Sequence, residues 1–178
     1  MRYNKAEVEK MLKLHEGSKY NDSGQMISYM DTQDHLTVGY GHKVVAGDKD
    51  MFGNPITSTN QVISQAQADE WFKKDTAYAI KRATSMKGFD TLTPNRQKAL
   101  IDMTFNMGAG WTLKFPKAVS LYEAAINSTN PQYKKNLFNA MSLEVGYEDG
   151  RDFSKGFSKY REQTKGRAEK IIRWLRDG

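Results

Sequence analysis

Apolar positions at Val8, Met11 and Leu12, with His15 completing the i, i+3, i+4, i+7 spacing, predict a first helix. Asn4 and Glu7 form a capping-box pair at its start, and Gly17 is its expected stop. Residues 18 to 24 are turn formers. Gln25 to Met30 and Leu36 to Tyr40 then carry the β-branched and aromatic content of two short strands joined through Thr32-Gln-Asp34, which predicts a small antiparallel sheet. A longer turn-rich connection runs from Gly47 to Asn60 and contains Gly53, Asn54 and Pro55. From Ser64, which pairs with Gln67 as a second capping box, the period returns to that of a helix, with Ala68, Trp71, Phe72, Asp75, Ala79 and Arg82 on one side.

Beyond Gly88 the pattern is helical throughout. Thr93-Pro94 and Asn130-Pro131 each place a cap before an N1 proline, ahead of Leu100, Ile101 and Phe105 in the first case and of Leu137 and Phe138 in the second. Gly146 to Gly156 reads as a glycine-rich loop, and Thr164 to Arg176 as a last helix with Ile171, Ile172, Trp174 and Leu175 apolar. These elements imply a mixed N-terminal lobe, a long helix near 65 to 84 and a helical C-terminal lobe that also packs the first helix. A cleft between lobes is the natural place for a site.

Every apolar run is broken by charged and polar residues, so no segment approaches the roughly 18 residues that cross a bilayer. No apolar h-region follows the basic start, so no secretory signal is expected. The absence of cysteine removes disulfides and thiolate ligands, and the three histidines are too scattered to predict a metal site. The net charge is +6, and residues 151 to 178 hold nine Lys and Arg against four Asp and Glu. That C-terminal excess favours a polyanionic partner: nucleic acid, an anionic membrane surface or a bacterial envelope.

Glycosidic-bond cleavage needs one carboxylic acid to protonate the leaving oxygen and a second carboxylate to activate water or attack the sugar. Glu16, at the end of the first helix, and Asp31, at a strand-to-turn junction, are such a pair, although acids at these positions are usually solvated caps. Their context is specific. The run Tyr29-x-Asp31-Thr32-x-x-x-x-Thr37-Val-Gly-Tyr-Gly-His42, with His15-Glu16-Gly17 upstream, resembles the active-site segment of T4-type phage lysozymes. Ala68-Asp-Glu-Trp-Phe-x-x-Asp75, Asp102-Met-Thr-Phe-Asn-Met-Gly108 and Ser158-Lys-Tyr-Arg-Glu-Gln-Thr-Lys-Gly-Arg167 resemble, in order, the family's interlobe helix, central buried helix and basic return segment. The stretch from Glu16 to Asp31 is longer than in the family's type member, the loop from Gly47 to Asn60 differs in sequence, and Lys165-Gly166 replaces a Pro-Asn pair.

The resemblance implies an α+β, mainly α, lysozyme-like two-lobed fold as a single domain over 1–178. Residues 17–64 would form the β-containing lobe, 65–86 the interlobe helix, and 1–16 with 87–178 the helical lobe. It implies Glu16 as general acid, Asp31 as the water-activating carboxylate, Thr37 as a support for that water and Arg167 as the partner of Glu16. His42 and Asp75 would form a structural ion pair, and Gly41, Phe105 and Asn106 would line the substrate cleft. The expected activity is a muramidase acting on bacterial peptidoglycan with inversion, needing no cofactor or metal. The protein would be a monomer with neither nucleic-acid binding nor stable membrane insertion, made in a host cytoplasm and delivered to the wall by a pore or virion. A lytic transglycosylase needs no activated water, so Asp31 and Thr37 argue against it. A non-catalytic wall-binding module on the same scaffold is the other alternative.

Overall fold

The computed structural model describes residues 2–147, 158–164 and 166–178. The chain divides into two compact units, one of Glu9–Tyr78 and one of Met1–Val8 with Ala79–Gly178. Both dividing points fall inside helices, α1 (Lys5–His15) and α2 (Gln65–Thr84).

The Glu9–Tyr78 unit carries all the strands found among the described residues: β1 (Met26–Ile27), β2 (Tyr29–Met30), β3 (Leu36–Val38), β4 (His42–Lys43) and β5 (Val62–Ile63). They form two antiparallel sheets, β1 with β5 and β2-β3-β4, where the sequence predicts one. Ser28 causes the split of the predicted strand Gln25–Met30. Its buried hydroxyl donates to the Ser58 carbonyl and accepts from Gln61 N–H, and its own N–H donates to the Gln61 carbonyl. The ladder partner therefore changes at that residue, from β5 on one side to β3 on the other. The predicted strand Leu36–Tyr40 stops at Val38, because Gly39 turns to φ +56 and brings its backbone onto Ala68.

Met26, Val38, Ile56, Ile63 and Ala68 make the core of this unit, with Trp71 and Tyr40 packed against it. The Ser64 hydroxyl accepts from Gln67 N–H, and the Gln67 side chain accepts from Ser64 N–H, so both arms of the capping box are made. Gln67 Nε2 also donates to the Lys49 carbonyl, fastening the 47–60 connection to the start of α2. Such a cap contributes about 1 kcal/mol.

The other unit is helical: α3 (Pro94–Met107), α4 (Trp111–Lys114), α5 (Pro116–Asn127), α6 (Pro131–Gly146), α7 (Lys159–Thr164) and α8 (Gly166–Asp177), with a 3-10 turn at Phe89–Thr91. Thr93 and Asn130 cap α3 and α6 through their side chains, each before an N1 proline. α6 packs on α5 and α8, and α3 packs on α8, around Leu100, Ile101, Met103, Trp111, Phe138, Met141 and Ile171. Trp111 is fully enclosed with its indole N–H donating to Thr104, and its truncation to Ala would cost about 3–5 kcal/mol. Gly146 ends α6 instead of opening a loop; its Cα packs under Ile172. The rest of the predicted 146–156 loop, beyond Tyr147, lies outside the described residues, as does Lys165 within the predicted last helix, whose residues from Gly166 on are α8.

Candidate active site

Glu16, Asp31, Thr37, Gly41, His42 and Asp75 all belong to the Glu9–Tyr78 unit. Glu16 follows α1, its N–H donating to the Leu12 carbonyl, so the end of the helix fixes where its side chain starts. Its carboxylate lies against the backbone of Gly41. A Cβ at Gly41 would stand 2.6 Å from Glu16 Oε2, and Gly41 is at φ +80. Glycine here serves twice, as the left-handed residue of the turn and as the space the carboxylate occupies.

Asp31 sits at the head of the turn between β2 and β3. Its Oδ1 accepts from the N–H groups of Gln33 at 2.8 Å and His35 at 2.9 Å. Burial alone would raise its pKa, but those two backbone donors, reinforced by the His35 ring, hold the carboxyl below its ordinary value. His35 Nδ1 lies 3.3 Å from each carboxylate oxygen, and Lys43 Nζ lies 3.2 Å from the same nitrogen.

Tyr29, Thr37 and Lys43 form one cross-strand row over β2, β3 and β4. Thr37 is buried and its hydroxyl donates to the His35 carbonyl at 3.0 Å. With its proton committed there, Thr37 Oγ1 keeps only acceptor capacity. The Tyr29 phenol is pushed up to about 12 by burial, then by the charges of Glu16 and Asp31. It therefore lies within the field of both carboxylates and stays neutral at working pH.

His42 Nδ1 is 2.8 Å from Asp75 and Nε2 is 3.0 Å from Asp48, while the ring stacks on Trp71 at 5.1 Å. Burial would lower its pKa, but the bond and charge of Asp75, with those of Asp48, outweigh burial and raise it. In the helical unit, Phe105 and Asn106 are half-buried on the last turn of α3. Arg167 is buried on α8, with Nε 2.6 Å and Nη2 2.5 Å from Asp102 Oδ1 of α3.

Sequence reasoning missed Tyr29, His35, Asp48 and Asp102. His35 was the most accessible of these, since i+4 from a turn-heading aspartate is within reach of its carboxylate. Nothing in the sequence marks Asp48 or Asp102 as partners of His42 and Arg167.

The family of phage lysozymes matches residues 19–163 of the chain. The chain belongs to the phage lysozyme family. Asp31, Thr37, Gly41, His42, Asp75, Phe105 and Asn106 lie inside the matched segment of this family member, with Glu16 and Arg167 just outside it. Two proteins of Dictyostelium discoideum are similar over 121 residues: "Probable T4-type lysozyme 2" at 28% identity and "Probable T4-type lysozyme 1" at 25%. In each case the match covers 59% of this chain and 71% of the relative. Membership makes the protein a lysozyme-like glycoside hydrolase, a family whose substrate is peptidoglycan.

Proposed function

We propose that the protein is a muramidase that hydrolyses the β-1,4 bond between N-acetylmuramic acid and N-acetylglucosamine by a single displacement. What supports this reading is that Glu16 and Asp31 lie in one compact unit, where both charges, after burial, push the Tyr29 phenol up. Glu16 protonates the leaving oxygen, and Asp31, held ionised by its backbone donors, takes a proton from water. Thr37 Oγ1, able only to accept, takes a hydrogen bond from the water's other O–H, which orients a lone pair towards the anomeric carbon. Gly41, whose backbone the Glu16 carboxylate lies against, contacts the glycan beside the acid.

Glu16→Gln is expected to fold normally and to lose activity by two orders of magnitude or more, because the amide fills the same space but cannot donate an acidic proton. Proton NMR of a soluble peptidoglycan fragment during early turnover should show the α-anomer first. A β-anomer appearing first would recast Asp31 as a nucleophile, and 1,6-anhydromuramic ends would replace hydrolysis by transglycosylation.

A further inference from the structure

His35 Nδ1 faces two groups with opposite demands. The Asp31 carboxylate, 3.3 Å away through either oxygen, can only accept a hydrogen bond; the Lys43 ammonium, 3.2 Å away, can only donate one. One nitrogen cannot satisfy both. Protonated, it donates to Asp31 and turns a positive charge towards Lys43. Deprotonated, it accepts from Lys43, and Asp31 loses a charged donor while keeping the N–H groups of Gln33 and His35. The two charged partners come from different elements, Asp31 from the head of the turn and Lys43 from β4, so the ring bridges them across the edge of the three-stranded sheet.

We propose that His35 is a positioning residue for Asp31, its Nδ1 alternating between donating to the Asp31 carboxylate and accepting from Lys43. The catalytic meaning rests on the reading of Asp31 as the base that activates water. While the imidazolium is bound, the carboxylate is a weaker base; once the ring gives up its proton, Asp31 becomes more basic and the transition-state cation gains an uncompensated negative neighbour. Activity therefore rises as the ring gives up its proton. Asp31 and His35 side chains are 24% and 46% exposed, so solvent keeps the step modest, no more than about fivefold, the ceiling for an exposed ion pair.

The test follows the Asp31 carboxyl carbon by NMR against pH in the full chain, and in parallel the hydrolysis rate of soluble peptidoglycan fragments. The wild-type carbon should show its own titration and a second inflection at higher pH, coincident with the rate step. His35→Phe, at a position exposed enough to accept the ring, should abolish the second inflection and move the first upward. His35→Asn, whose amide donates at every pH, should abolish the inflection and flatten the rate step. Lys43→Met, which removes the group that rewards the neutral ring, should move the step to higher pH. A wild-type carbon with no second inflection, or one that survives in His35→Phe, overturns the proposal. Wild-type hydrolysis by Asp31→Asn would instead overturn the base assignment, and leaves the NMR comparison to decide the coupling on its own.

Discussion

Gly41→Ala separates a strained backbone from a displaced acid. At φ +80 an L side chain costs about 1–2 kcal/mol, which for a domain of this size lowers the melting temperature by roughly 2–4 °C per kcal/mol. The added methyl also meets Glu16 Oε2 at 2.6 Å, against 3.4 Å for an ordinary contact, so the carboxylate must retreat by about 0.8 Å. The atom that must move is the far end of a flexible side chain, not backbone. For catalysis the same retreat matters far more, since a misplacement of about 1 Å can cost on the order of a hundredfold. Gly24→Ala is the control: φ is +73 and nothing lies within 4 Å of the new Cβ. Both variants should melt a few degrees below wild type, by similar amounts. In a turbidity assay on chloroform-treated Gram-negative cells, only Gly41→Ala should lose activity, by tenfold to a hundredfold. Equal activity of the two alanine variants would refute the idea that the Gly41 backbone fixes the working position of Glu16.

Three further outcomes follow from the geometry. The pKa of His42 is raised in the folded state, so its contribution to stability is complete below the unfolded value near 6.5 and disappears as pH climbs through the folded value. The melting-temperature gap between wild type and His42→Asn should accordingly be wider at about pH 5.5 than at about pH 8, and a gap independent of pH would discount the two carboxylates. Arg167→Met removes the cation bound to the fully buried Asp102 carboxylate and should cost about 3–5 kcal/mol in urea unfolding, with Asp102→Asn added in the same chain recovering part of it. Ser28→Ala removes the hydroxyl shared by Ser58 and Gln61 and should lower stability by about 1–3 kcal/mol; an unchanged unfolding midpoint would mean that the Ser58–Gln61 turn is held without it.

Four helix starts were legible because they are written locally: Asn4, Ser64, Thr93 and Asn130 all accept the backbone donor three residues on. The partner of β1 was not, because β5 lies some 35 residues later and two-residue strands carry no alternation from which to read a register. The same limit applies to the site. Glu16, Asp31 and Thr37 could be named from a motif, whereas Asp48 and Asp102 acquire their roles only when a loop and a helix bring them to His42 and Arg167. Gly41 was read from the motif as a wall of the glycan cleft, while its nearest neighbour in the fold is the Glu16 carboxylate itself.

The turn headed by Asp31 has a consequence for how this protein can be inactivated. Functional carboxylates are often kept against the interest of the fold, so that neutralising them relieves repulsion and stabilises the chain. Asp31 is placed differently, because Oδ1 is the acceptor on which the Gln33 and His35 amides close the turn. An alanine there would open two backbone donors and slacken the β2–β3 hairpin along with the chemistry, whereas asparagine keeps an oxygen in the same place. Anyone needing an inert version to trap a glycan complex should choose the amide, and an alanine variant that fails to bind wall material would report a loosened hairpin before it reported a lost base.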